Sequence, residues 1–279
     1  MAKQYRAVAT HPALQPYVRG IFIQEEVVDP FQAEHPYTVF PKPYPVFGFQ
    51  YSGRLRVIRE GREEFLRVSG ITGLQGMART FGASTDTRTI LVAFKPYGAF
   101  VLLACPMDQL ADSHVGLGQI VGGSRLQILE EQLAESRGTP TLSRLVQSFL
   151  LFRLSHAEHD VHLSVMRAAD RLLIEGGRTP IESVAKESGI SRRQLERLFQ
   201  EQIGVGPKRF AALVRFDWAR RHLNSYSSYA DLAYDAGYAD QAHFVRSFNE
   251  KAGMTPREYR AQAARPHVAF LQDGPATLR

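Results

Sequence analysis

The chain has 279 residues, with 34 Lys and Arg against 28 Asp and Glu, a formal net charge of +6 and 44% hydrophobic residues. That length and apolar content suit two cored domains rather than one. No run of 18 apolar residues occurs, which excludes a membrane-spanning helix, and a single cysteine excludes an internal disulfide and a Cys-based structural zinc site. The opening stretch MAKQYRAVATHPALQPYV lacks an apolar signal-peptide core, so a cytoplasmic location is expected.

Residues 5–95 read as mainly β. Tyr17–Gln24 is one expected strand. Val46–Tyr51 alternates around Phe47, Phe49 and Tyr51, Ser52-Gly53 turns the chain, and Leu55–Ile58 is expected to return as its hairpin partner. Arg59 to Arg62 makes a further turn before Phe65–Val68, and Gly70–Gln75 and Thr87–Phe94 follow as strands. The proline-rich run from His35 to Pro45 reads as a loop at the mouth of a sandwich or barrel. From Tyr97 the period changes. Gly98–Cys105 is a short apolar helix stopped by Pro106, and Met107–Ala111 another helical turn. In FVLLACP, Cys105 reads as a small buried hydrophobe, with a redox role as the alternative. Ser124 is placed to cap a helix through Glu135. Thr141 opens another to about Leu154, so the two form a helical hairpin that either covers the sheet or forms a dimer face.

His11, His35 and His114 are scattered and give no metal-binding cupin pattern. His156, His159 and His162 have helical spacing but fall in an expected solvated linker. No Gly-rich phosphate loop or nucleophile elbow is present, so no catalytic residue, metal ligand or cofactor is expected. A ligand pocket lined by Phe40, Phe47, Phe49, Tyr51 and Phe94, with Tyr44 nearby and Arg88 or Lys95 orienting an acid, is one reading. The other is that these aromatic residues are core.

The stretch from Thr179 to Tyr259 contains an internal duplication. Val184-Ala185 falls on Leu232-Ala233 and Gly189 on Gly237, at an offset of 48. After one inserted residue, Leu195 falls on Phe244, Phe199 on Phe248, Gly204 on Gly253, Pro207 on Pro256 and Phe210 on Tyr259. Each half reads as a short helix, a glycine turn and a second helix. Ser191 opens the second helix of the first half, with Gln194 completing a capping box, and Asp240 opens that of the second half. With Leu195, Leu198 and Phe199 turned inward, the outer face of the first is Arg192, Arg193, Glu196, Arg197 and Gln200. With Phe244 and Phe248 inward, that of the second is Gln241, His243, Arg246 and Asn249. Basic and amide side chains on such a helix suit base edges in a major groove, where Arg forks onto guanine and Gln onto adenine. The alternative is a helical domain with a solvated charged face. Pro207 to Asn224 reads as a helix of about 30 Å between the halves, close to the ~34 Å between successive major grooves on one face of DNA. Residues 160–265 hold 17 Lys and Arg against 13 Asp and Glu, so much of the positive excess lies here.

These residues resemble the DNA-binding domain of the AraC/XylS family of bacterial transcription regulators. The likeness is carried by Ala185, Gly189, Ser191, Leu195, Arg197, Phe199 and Gly204, then by Leu232-Ala233, Gly237-Tyr238, Asp240, Phe244, Arg246, Phe248, Gly253, Thr255-Pro256 and Tyr259-Arg260. The resemblance implies base contacts from Arg193, Glu196 and Arg197, then Gln241, His243 and Arg246. Glu196 departs from the amide common at its position, and would accept from cytosine or pair with Arg192 or Arg193. More weakly, on FKPYGAF and PMDQLAD, the first half is similar to the family's cupin-like sensor domain. The expected fold is therefore α+β: a β-rich sensor or dimerisation domain over 1–155, a linker at 156–162, a double helix-turn-helix domain over 163–265 and an irregular tail over 266–279. The resemblance implies promoter or operator DNA and a small-molecule effector as partners, with RNA polymerase and a second copy of the chain as further ones.

Overall fold

The computed structural model of the protein describes residues 5–24, 36–59 and 61–263. Its first half is built on two antiparallel sheets. Strands β1 (Tyr5–Val8), β2 (Val18–Gln24), β4 (Val46–Ser52), β7 (Ser69–Thr72), β9 (Arg88–Phe94) and β10 (His114–Gly116) form a six-stranded sheet in the order β1-β2-β9-β4-β7-β10. Strands β3 (Tyr37–Val39), β5 (Leu55–Arg59), β6 (Arg62–Phe65) and β8 (Arg79–Ala83) form a four-stranded one in the order β3-β8-β5-β6.

Period-2 alternation fixes the buried face of the larger sheet. Ile21, Ile23, Phe47, Phe49, Ile90 and Val92 are all essentially buried. Helices α2 (Ser124–Glu135) and α3 (Thr139–Ser155) cover that face, with Phe149 of α3 standing edge-on to Phe49 at 6.5 Å. A short helix, α1 (Gly98–Leu103), follows β9 and is buried along its whole length.

Several expectations are corrected. β4 and β5 are not a hairpin: β4 takes its hydrogen bonds from β9 and β7, while β5 pairs with β6 and β8 in the other sheet. The chain changes sheets at Ser52–Gly53, where Gly53 has φ 60° and Gln50 accepts from Leu55 N. Residues 37–39 form a strand rather than a loop, paired with β8. Ser124 is the first helical residue and not a cap, because Gly123 at φ 82° occupies the N-cap position. Thr139 and Pro140 lie inside the first turn of α3, where Pro loses no helical hydrogen bond. Residues 107–110 form a 3-10 turn.

The second half is helical: α4 (Leu163–Ile174), α5 (Ile181–Glu187), α6 (Arg192–Ile203), α7 (Pro207–His222), α8 (Tyr229–Asp235), α9 (Gln241–Ala252) and α10 (Pro256–Ala263). The 16 residues of α7 span about 24 Å, shorter than the spacing suggested, because a 3-10 turn at 223–225 ends it. The segment before α4 is exposed only in part. Val161 is buried, His159 stacks on Phe100 and His162 caps α4 through Ser164 N, so three histidines at helical spacing have separate packing roles. Cys105 is half-buried, with its thiol pKa raised by burial. The tail expected over 266–279, and His35, lie outside the described residues.

Candidate nucleic-acid interface

Helices α5 and α6 meet at Gly189, which has φ 73°, and helices α8 and α9 meet at Gly237, at φ 78°. The left-handed turn that the duplication places in each half is therefore present twice, at the positions where a side chain would be strained. Each second helix opens on a side-chain cap. Ser191 accepts from Gln194 N at 3.2 Å, and Asp240 from His243 N at 2.6 Å. Each ends on a left-handed glycine, Gly204 or Gly253. Inward, Leu195, Phe199, Phe244 and Phe248 are fully buried. Arg192, Arg193, Glu196, Arg197 and Gln200 on α6 are all exposed, as are Gln241, His243, Arg246 and Asn249 on α9.

The charges on these faces are loosely held. Arg197 meets Glu201 at 3.4 Å and Arg192 meets Glu182 of α5 at 2.5 Å, Glu201 being half-buried and the other three side chains largely exposed. Exposed pairs of this kind are worth about 0–1 kcal/mol, so a phosphate or a base edge can replace the carboxylate at little cost. Arg192 is taken by Glu182, and the Glu196 carboxylate folds over Gly206, in the space that a Cβ there would fill. Gly206 is the N-cap of α7, where helix-end N–H groups favour a negative charge. His243 accepts from Ala239 N through Nδ1 at 3.4 Å and stands edge-on to Tyr238. With Nδ1 accepting, Nε2 is the ring nitrogen left to donate.

The framework beneath includes residues that sequence reasoning missed. Arg220 is 3% exposed and donates to Asp217 at 3.1 Å and to Tyr259 at 3.1 Å, tying α7 to α10. Arg178 and Arg215 donate to the carbonyls of Asp235 and Gly237, which fixes the turn between α8 and α9. Arg260, singled out only by family resemblance, donates to the carbonyls of Leu223 and Tyr226 and seals the end of α7. Nothing in local sequence marks Arg178 or Arg215, whose partners are backbone carbonyls remote along the chain.

The residues read as ligand-lining do not form one group. Phe47, Phe49 and Phe94 pack into the core of the larger sheet, Phe47 lying 4.4 Å from Phe94. Tyr51 is buried and donates to the carbonyl of Gln24. Arg88, at the start of β9, is half-buried. Phe40 is elsewhere: it belongs to the core beneath α9, edge-on to Tyr259.

Two capped helices with polar outer faces, each behind a left-handed glycine turn, define a double helix-turn-helix module of DNA-binding type. Comparison agrees: residues 184–262 match the family model described as a helix-turn-helix domain, so this part of the chain is a helix-turn-helix domain. Residues 6–116 match a second model, described only as a domain of unknown function (DUF6597). The chain is 30% identical over 142 residues to the HTH-type transcriptional activator RhaS of Escherichia coli, covering 47% of this chain and 50% of that protein, and to the same degree to RhaS of Shigella boydii. It thus spans about half the length of the curated relatives it matches. Among solved structures, an AraC-type transcriptional regulator from Chromobacterium violaceum matches 37% of this chain and 94% of its own at 30% identity, with a TM-score of 0.35. ToxT from Vibrio cholerae matches 86% and 96% at 12% identity, with a TM-score of 0.43.

Proposed function

We propose that the protein is a sequence-specific DNA-binding transcription regulator. In this reading α6 and α9 enter two successive major grooves, and the domain over 163–265 is the DNA reader. The domain over 1–155 senses a small molecule, pairs two copies of the chain, or does both, and 156–162 joins the two domains. The observation that carries the reading is the repetition of one geometry, in which an exposed arginine stands at the equivalent position of each capped helix, Arg197 and Arg246. Coupling works by population shift: an effector that binds one arrangement of the domains more tightly raises the fraction competent for DNA.

Selection of bound sequences from a random DNA pool by the full chain tests the reading. The expected product is a site with two short informative blocks about one helical turn apart. Arg197→Ala and Arg246→Ala then each cost about 1–3 kcal/mol on that site and blur one block each. Recovery of no sequence, with only salt-sensitive general binding, overturns it. A second reading, control by a protein docked on the first half, is favoured by the placement of Phe47, Phe49 and Phe94 in packed core rather than around an opening.

A further inference from the structure

The two reading helices are anchored differently. The core beneath α6, with Leu195, Phe199 and Phe210, is continuous with the core of the first half through Met107 and Leu110. The core beneath α9, with Phe216, Phe244, Phe248 and Tyr259, is a separate cluster. Among the described residues, two of the first half enter that second cluster, Phe40 as a buried member and Ala78 packed against it.

We propose that Phe40, supported by the backbone at Ala78, is a positioning residue that fixes the second reading helix relative to the first and so sets the base-pair spacing the full chain accepts. The proposal rests on the DNA-reading function given above.

Phe40 is 4% exposed, although it follows a short edge strand and precedes a proline. Its ring stands edge-on to Tyr259 at 5.1 Å, and Tyr259 stands edge-on to Phe248, on the inner face of α9, at 5.6 Å. Three rings thus connect the first half to the second reading helix, in a geometry that aromatic pairs favour. Beside them, Ala78 N donates to the carbonyl of Lys251 at 2.7 Å. That carbonyl lies in the last turn of α9, where no helical partner exists, so the bond satisfies an orphan acceptor.

The same segment also reaches the helix between the two readers. Gly76 N donates to Asp112 Oδ1 at 2.6 Å, and the other carboxylate oxygen accepts from Arg209 in the first turn of α7. Burial opposes ionisation of Asp112, but the bonds from Arg209 and Gly76 outweigh it and hold its pKa below the usual carboxylate value. Asp112 adopts φ 54°, a left-handed conformation that Asp tolerates better than most residues. Residues 76–78 therefore join the start of α7 to the end of α9.

Without this second attachment, α8–α10 would be held by α7, Arg178 and Arg215. The two arginines grip the α8 turn, and from α7 Arg220 reaches Tyr259 and Phe216 packs on Phe248, while Phe40 and Ala78 add the hold on α9 and α10 that comes from the first half. The contact does not act as a lid, because Arg193, Arg197, Gln241 and Arg246 stay exposed beside it. What it restricts is the angle between the two reading faces.

The test uses the full chain and the site it selects, remade with one or two base pairs inserted or removed between the blocks. Wild type is expected to lose about tenfold or more in affinity per base pair of change, the scale of a misplaced base contact. Phe40→Ala is expected to flatten that profile to less than about threefold, and Phe40→Leu, which keeps an apolar plug, to restore it. Amide hydrogen exchange in the absence of DNA is expected to quicken over 241–263 in Phe40→Ala and to stay unchanged over 192–203. If Phe40→Ala does not fold, Phe40→Val reports the same two quantities. A variant with the wild-type spacing profile and wild-type exchange overturns the proposal. Wild type that selects no sequence overturns the DNA-reading function and the spacing consequence with it, while the exchange data still decide whether Phe40 holds the second reader.

Discussion

Gly204 and Gly253 occupy equivalent positions of the duplication, and both end a reading helix with positive φ. Their surroundings differ. A Cβ on Gly253 would meet nothing within 4 Å, whereas one on Gly204 would lie 2.7 Å from the carbonyl oxygen of Met107. Gly253→Ala therefore incurs only the left-handed backbone cost, about 1–2 kcal/mol. Gly204→Ala adds a clash with backbone, which cannot swing aside as a side chain can, and is expected to cost about 3 kcal/mol or more. Thermal melts of the two variants check this. A fall for Gly204→Ala no larger than for Gly253→Ala would mean that the 107–110 turn does not sit against α6 in solution. Phe40 illustrates why such residue-level roles escape sequence reading. Its proline-rich neighbourhood suggests a loop, and its partner Tyr259 belongs to another part of the chain, so no local period signals the contact.

At the scale of elements, the proposed function makes the caps of the reading helices a tie between stability and recognition. Asp240 Oδ1 accepts from His243 N, so the carboxylate holds the turn that carries Gln241 and His243. Asp240→Ala is expected to cost about 1 kcal/mol, and Asp240→Asn far less, since Asn caps as well as Asp does. On DNA, Asp240→Ala is expected to weaken base preference in the second block alone. Melting temperatures and block-resolved selection separate that from general unfolding, which would erase both blocks. Elements of this kind were legible in the sequence because caps, glycine turns and 3.6-residue spacing are local signals, and the copy at an offset of 48–49 repeats them. The sheets were legible only as single strands. β4 pairs with β7 and β9, and β5 with β6 and β8, through partners chosen by burial across the whole domain. The neighbouring turn at Ser52–Gly53 looked like a hairpin, but it is where the chain passes from one sheet to the other. The aromatic alternation at Phe47 and Phe49 marked a buried face without saying whether helix or ligand covers it, and α3 covers it.

For the whole molecule, the division of the apolar core predicts an order of opening. The first reader shares one continuous core with the larger sheet and α1–α4, while the second has its own smaller cluster. Opening the second reader exposes the smaller cluster and breaks a limited set of attachments, among them Phe40, the Ala78 hydrogen bond, the Arg220–Tyr259 bond, the bonds of Arg260 to the end of α7, and the links from Arg178 and Arg215. Opening the first reader would breach the core of the whole chain. Residues 229–263 are therefore expected to exchange their amide hydrogens through an opening of lower free energy than the one that exposes α6 and the six-stranded sheet, which are expected to exchange together. Native-state exchange in rising denaturant measures both. A common opening for the two readers would show that the clusters, though separate in contact, unfold as one. Binding then acts selectively. DNA carrying both blocks, at 100 times its dissociation constant, adds about 2.7 kcal/mol to every opening that releases it. DNA carrying the first block alone leaves residues 229–263 as exposed to exchange as in the free protein, because it makes no contact that the loosened second reader would lose.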